Sequence, residues 1–251
     1  MHSCKLIALD MDGTLLGSDY VISESNQRWL LAAREEGVEF TIATGRLFKG
    51  LVQQYARHLN IGAPIVTMNG SAVWSADGEL IESHSFAADD VQYLYDLACE
   101  TEISFWAHMI DEVVDRAVFQ QMMERRVWAK FVFLGQDLQV IDHIWERLAQ
   151  RGGFEVTSTS RHNIEVNPLG VSKASGLAVV CARLGISPDQ VAAIGDSLND
   201  VPMFRFAGRA IAMDNASDEV RREADWITDS NDRDGVAAAV KRLLGRSEYS
   251  S

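Results

Sequence analysis

Two clusters of acidic residues stand out in this chain of 251 residues: Asp10-Met11-Asp12-Gly13-Thr14 near its start and Gly195-Asp196-Ser197-Leu198-Asn199-Asp200 in its last third. At average residue frequencies D-x-D-G-T arises about once in 10⁵ starting positions, and the second cluster is comparably rare. Carboxylates gathered in one place resist simultaneous ionisation, since two charges about 4 Å apart repel by about 4 kcal/mol at an effective dielectric near 20. A divalent cation relieves that repulsion. Hard oxygen donors in small number, with room left for water and phosphate oxygens, suit Mg²⁺ better than zinc. Asp and Gly are also common turn formers and helix caps. Either cluster alone admits that plainer reading, and the two together favour a metal site.

Both clusters directly follow apolar runs. Residues 5–9 (KLIAL) are nearly continuously apolar, as in a strand covered on both faces, and the run stops at Asp10. Similar runs end at Thr44 (EFTIAT), Asn69 (PIVTMN), Asp196 (VAAIGD) and Asp214 (AIAMD). Between them lie helical periods: Leu177, Val180, Cys181 and Leu184, then Val236, Ala239, Val240 and Leu243. Gly37 and Gly185 stand where left-handed C-terminal caps are expected. Strands alternating with helices predict an α/β fold with a doubly wound, Rossmann-like parallel sheet, whose polar strand ends face one crevice.

The middle of the chain follows another pattern. Residues 72–74 and 79–82 flank Ala76-Asp77-Gly78 as a hairpin would. Val91, Leu94, Tyr95 and Ala98 mark a helix, 102–107 and 111–115 read as strands, and 117–128 as a helix. Residues 130–135, 137–151, 154–158 and 161–166 continue as strand, helix, strand, strand. The expectation is an α+β domain over 84–166, inserted into a core made of 1–83 and 167–251. Trp106, Trp128 and Trp145 are expected in its interior, and Arg161 and His162 are candidates to contact the leaving group of a substrate.

The composition, 47% hydrophobic and 24% charged, is that of a globular chain. Its formal net charge of −13 repels polyanions, which argues against nucleic acid and anionic membranes as partners; an anionic small molecule would need a local cationic pocket. Cys4, Cys99 and Cys181 are odd in number and far apart, which supports neither a disulfide framework nor a zinc spacing and fits a reducing cytoplasm. No run reaches about 18 apolar residues, and neither an export signal nor a membrane span is expected. The histidines, His2, His58, His84, His108, His143 and His162, show no ligand spacing and are expected to be structural or solvent-facing.

Read together, Asp10 to Leu16 (DMDGTLL), Ala43-Thr44-Gly45-Arg46, Asn69-Gly70, Gly170-Val171-Ser172-Lys173 and the GDSLND run ending at Asp200 resemble, in order and along the whole chain, the haloacid-dehalogenase-like (HAD) superfamily, in its Cof-type sugar-phosphatase branch with an inserted α+β cap. The resemblance implies a Mg²⁺-dependent phosphatase acting on a small phosphorylated metabolite through an aspartyl-phosphate. Sugar phosphates are the leading class; pyridoxal phosphate, flavin mononucleotide and phosphoglycolate are also candidates. It implies Asp10 as nucleophile and Asp12 as acid and base. Asp10, the Asp12 carbonyl and Asp196 would hold the metal, with Asp200 helping to position it. Thr44 and Lys173 would hold phosphate oxygens, Asn199 would donate its amide, and the backbone N–H groups of Met11 and Gly45 would complete the cradle.

Plainer readings stand beside these roles. Thr44 and Gly45 could cap a helix starting near Leu47, Arg46 is as readily an exposed helix residue as a substrate contact, and Asn-Gly is a common turn pair. A lysine at a helix start opposes the helix dipole, which points to an anion near Lys173. The oligomeric expectation is monomer or homodimer. A phosphotransferase or phosphomutase and a silent phosphate-ligand sensor are the rival functions; binding alone does not need an acid/base, so the pairing of Asp10 with Asp12 argues against the sensor.

Overall fold

The computed structural model describes residues 4–246. Strand β1 (Leu6–Leu9) is wholly buried, as its unbroken apolar run requires. Helix α1 (Glu24–Glu35) is capped by the Ser23 side chain, which accepts from Asn26 N, and Gly37, at φ +83°, turns the chain into β2 (Glu39–Ile42). After α2 (Gln53–His58), strands β3 (Ile65–Thr67), β4 (Ala72–Trp74) and β5 (Leu80–Ser83) form a small antiparallel sheet.

Next come α3 (Ala88–Glu100), β6 (Ser104–His108), β7 (Val113–Asp115), α4 (Arg116–Met122), β8 (Lys130–Leu134), α5 (Leu138–Arg151), β9 (Phe154–Thr157) and β10 (Asn163–Pro168). Their strands pair antiparallel in the order β7-β6-β8-β10-β9. The chain then resumes with α6 (Lys173–Leu184), β11 (Val191–Gly195), α7 (Val201–Phe206), β12 (Arg209–Ala212), α8 (Asp218–Arg221), β13 (Trp226–Ile227) and α9 (Gly235–Leu243). These strands join β1 and β2 in a parallel sheet of order β13-β12-β11-β1-β2, the doubly wound α/β arrangement expected from the alternating pattern.

Each large sheet has its own hydrophobic core. One holds the buried faces of the parallel and three-stranded sheets; the other holds Phe105, Phe119, Trp128, Phe131 and Phe133 behind the second sheet. Among the described residues no helix is long and apolar enough to cross a membrane.

The structure departs from the sequence pattern in several places. PIVTMN supplies β3, but this strand pairs antiparallel with β4 and makes a single parallel bridge, from Val66 to Ala43, beside the parallel sheet. Apolar content marks a buried strand without naming its partner. The helix expected from Leu47 begins only at Gln53, because Lys49 is extended and Gly50 takes φ +94°. Helix α4 gives way after Met122 to a tighter turn, and the final strand of the middle block runs on to Pro168. Trp128 is buried, but Trp106 is 51% exposed and Trp145 is also partly exposed, so the expectation that all three form the interior fails. Strand alternation explains Trp106: its neighbours Phe105 and Ala107 occupy the buried face of β6.

One close approach fixes the start of α6. Gly70 adopts φ +102°, and a Cβ there would lie 2.1 Å from the Ser172 carbonyl oxygen. Ser172 is the N-cap of α6 and Lys173 its first residue, so the bare Gly70 backbone seats the lysine. Gly70→Ala is expected to lower unfolding stability by about 3 kcal/mol, from clash and left-handed strain together, as read by urea denaturation. A change under about 0.5 kcal/mol would show that the contact is not constraining.

Candidate active site

The register of the parallel sheet brings distant residues level. Leu9 pairs with Ile194 on one side and Ile42 on the other, so the chain leaves β1 at Asp10, β11 at Asp196 and β2 toward Thr44 along one sheet edge. Asp10, 4% exposed, accepts a 2.5 Å hydrogen bond on Oδ1 from Lys173 Nζ. The same ammonium donates to Asp200 Oδ1 at 2.6 Å, and all three side chains are buried. Asp200 Oδ2 accepts from the backbone N–H groups of Asp196 (2.8 Å) and Ser197 (2.9 Å), which braces the loop after β11. Asp196 is held by the hydroxyls of Thr14 (2.8 Å) and Ser197 (3.0 Å). Gly13 must be glycine beside it, since a Cβ would stand 2.5 Å from Asp196 Oδ2.

Carboxylate oxygens of Asp10, Asp196 and Asp200 lie within 4.8 Å of one another. One lysine cannot balance three ionised carboxylates, and the electrostatics record the excess. Burial, then the neighbouring carboxylates Asp200 and Asp196, drive the Asp10 pKa well above its ordinary value against the pull of Lys173. Burial and Asp200 push Asp196 up to about 6. Burial opposes the charge on Lys173, but Asp10 and Asp200 outweigh it and raise its pKa, so the ammonium persists. An all-oxygen donor set with two uncompensated negative charges fits a hard divalent cation such as Mg²⁺.

Asp12 stands at the rim. Its carboxylate forms a forked pair with Arg46, Nε to Oδ2 at 2.6 Å and Nη2 to Oδ1 at 2.5 Å, and the guanidinium also lies over the Tyr20 ring. Sequence reasoning left Arg46 between substrate contact and exposed helix residue; here it is neither in a helix nor free, but holds Asp12. Thr44 caps no helix. It is fully buried, and its hydroxyl accepts from Arg46 N at 3.2 Å. Among the described residues neither Met11 N–H nor Gly45 N–H donates to a protein acceptor; Gly45 lines the cavity, and Met11 is buried behind it.

A cavity of about 980 Å³ opens above these groups. Asp10, Asp12, Gly45, Arg46, Asp196 and Asn199 line its floor, while Lys49 and Leu51 flank it. Thr44, Lys173 and Asp200 stand behind that floor and do not line the cavity. Its roof is the second sheet, including Trp106, His108, Lys130 and Glu165. His108 lines the cavity, while Arg161 and His162 line no part of it. His58 bonds to Gln27 and His84 to Glu82 near the surface, and His2 lies outside the described residues.

Roof and floor are joined by a polar chain that sequence reasoning missed. Asn199 donates to Asn69 Oδ1 (3.2 Å), Asn69 donates to Glu165 (2.6 Å), Glu165 pairs with Lys130 (2.9 Å), and Lys130 donates to the Gly45 carbonyl (3.1 Å). Asn69 sits at φ +56° in the turn after β3, so the Asn-Gly pair is a turn as well as a link. The available signal was weak: Asn-Gly is common, and Lys130 and Glu165 sit in strands with no motif around them.

A family model for the haloacid dehalogenase-like hydrolases matches residues 7–121 and 113–240. The chain belongs to that family. As a member, it is 39% identical over 240 residues to the 5-amino-6-(5-phospho-D-ribitylamino)uracil phosphatase YcsE of Bacillus subtilis (strain 168), with 96% of each chain covered. It is 28% identical to a phosphoglycolate phosphatase of Methanopyrus kandleri, covering 96% of this chain and 97% of the relative. A haloacid dehalogenase-like hydrolase from Bacteroides thetaiotaomicron superposes with a TM-score of 0.78 at 30% identity, covering 96% of this chain and 100% of that one.

The raised Asp196 pKa sets a pH dependence for this hydrolase. Between 3.8, the ordinary value, and about 6 the folded protein holds a proton that the unfolded chain has lost. Asp196 therefore favours folding at the acid end of that window and loses this contribution as pH rises through about 6. A bound cation competes with that proton. The rise in melting midpoint on adding Mg²⁺ should be larger at about pH 7.5 than at about pH 5 by differential scanning fluorimetry; a larger rise at the acid pH would contradict the assignment.

Proposed function

We propose that this protein is a Mg²⁺-dependent phosphatase of small organic phosphate monoesters, with Asp10 as its nucleophile. The supporting observation is the cluster of Asp10, Asp196 and Asp200 carboxylates, two of them paired with Lys173, at the floor of one cavity with Asp12 at its rim. Asp10, Asp196 and the Asp12 carbonyl would hold the metal, with Asp200 bracing the loop behind them. When bound, the ion offsets charge on the phosphoryl oxygens.

Lys173 occupies Asp10 Oδ1, which leaves the other carboxylate oxygen to attack phosphorus. The bond from phosphorus to the leaving oxygen breaks as Asp12 gives that oxygen its proton. Asp12 then takes a proton from water. The water oxygen attacks phosphorus, the bond to Asp10 breaks, and inorganic phosphate leaves with the carboxylate restored. Arg46 holds both carboxylate oxygens of Asp12 and so fixes where that side chain stands at the cavity. The Asn199 amide and the Gly45 N–H would receive the phosphate oxygens from the cavity floor, while Lys173, Thr44 and the Met11 N–H, which lie behind that floor, would support them from beneath.

Residues 84–166 would act as the cap that excludes water, and 1–83 with 167–251 as the catalytic core. The relatives are named for two chemically distant esters. A common phosphate end and a variable remainder support the reading that specificity lies in the roof. The three free cysteines suit a reducing cytoplasm.

Asp10→Asn should bring release of p-nitrophenol from its phosphate ester below detection. Asp12→Asn should lower kcat by about 10² to 10⁴. EDTA should abolish turnover and Mg²⁺ restore it. Full activity in Asp10→Asn would sink the proposal.

A further inference from the structure

We infer that the roof of the cavity is a recognition surface for a flat heterocycle on the leaving group, with Trp106 stacking on the ring and His108 reading its edge. The inference rests on the phosphatase reading and adds to it what lies beyond the phosphate.

Strand alternation sets the surface. Phe105 and Ala107 fill the core behind β6, so Trp106 and His108 project from the other face, which lines the cavity. The register places Trp106 between Val132 and Asp115, and His108 between Lys130 and Val113. An indole that is 51% exposed, with Val113, Val132 and Leu134 also lining the cavity, is a flat apolar platform rather than a set of hydroxyl partners. The polar groups toward β10 are already engaged: Lys130 and Glu165 bind each other, the Gly45 carbonyl and Asn69.

His108 differs from them. It is 8% exposed, and neither of its buried ring nitrogens has a hydrogen-bond partner. Buried polar atoms rarely stay unpaired, because an unmet donor or acceptor has lost its water without gaining a partner. Burial and then the Lys130 charge lower its pKa to about 3, so the ring is neutral. A neutral imidazole offers one donor and one acceptor. A heterocycle lying on Trp106 with donor and acceptor atoms on its edge meets both demands. The cavity, about 980 Å³, has room for a ring beyond a phosphoryl group seated at Asp10.

The test compares kcat/KM for pyridoxal 5′-phosphate and flavin mononucleotide with that for glycerol 3-phosphate, which has no ring. The native protein should favour at least one ring ester. Trp106→Ala should lower the ratio for that ester about tenfold, as loss of a stacking partner does, while Trp106→Phe keeps most of it. His108→Leu should also lower the ratio. A ratio unchanged in Trp106→Ala, or native preference for glycerol 3-phosphate, overturns the inference while leaving the phosphatase reading intact. Calorimetric binding of pyridoxine and riboflavin tests the surface without turnover. Binding of either that weakens in Trp106→Ala supports the inference even if no ester is hydrolysed, and binding of neither by the native protein overturns it.

Discussion

Two buried carboxylates share one buried ammonium, and a third carboxylate stands beside them at the cavity. Lys173 lies between Asp10 and Asp200 with no solvent exposure, and Asp196 adds a further negative group beside them. Removing one partner from such a cluster leaves a buried charge uncompensated, so the geometry must be held rigidly by its surroundings. The surrounding structure supplies that rigidity. β1 and β11 end level with each other, the Asp200 carboxylate is locked by two backbone N–H groups, and Gly70 allows the first turn of α6 to come close enough to deliver the lysine.

Negative charge in excess of its protein partners is tolerable only if something else compensates it. Protons can, which is the meaning of the raised Asp10 and Asp196 pKa values; a divalent cation can do so with the carboxylates ionised. The cluster thus costs stability in one state and gives binding strength in another. Asp12 is handled differently. It stands apart at the rim, part-exposed, and Arg46 rather than a buried lysine holds it.

The second sheet does more than shelter this edge. Asn199, Asn69, Glu165, Lys130 and Gly45 form one buried hydrogen-bonded chain from floor to roof, and Asn167 adds bonds to the Met68 carbonyl and Ser71 hydroxyl. Buried polar chains of this sort are satisfied in few relative positions of the two sheets, which gives their docking a definite geometry. The face of the roof nearer Trp106 has no such chain, and both ring nitrogens of His108 there are without a hydrogen-bond partner.

Apolar runs that stop at a polar residue were legible because a parallel strand covered on both faces needs unbroken hydrophobicity and a polar exit. That is why β1, β2, β11 and β12 and the acidic groups after β1 and β11 were visible as a list of residues at strand ends, and why the haloacid dehalogenase-like family could be named from them. What linear order did not carry was pairing. The partner of β3, the break at Lys49-Gly50, the fork between Arg46 and Asp12, the chain through Asn69 and the exposure of Trp106 each depend on residues remote in sequence. Local periodicity reports which face of an element is apolar, but not what stands opposite. Sequence alone determined the fold class and the chemical types available at one sheet edge, since both follow from local pattern and residue type. Only the tertiary structure decided which carboxylate meets the lysine, which is braced by backbone and which stays at the rim, because those outcomes are set by distances across the fold, and electrostatic energy is a function of distance.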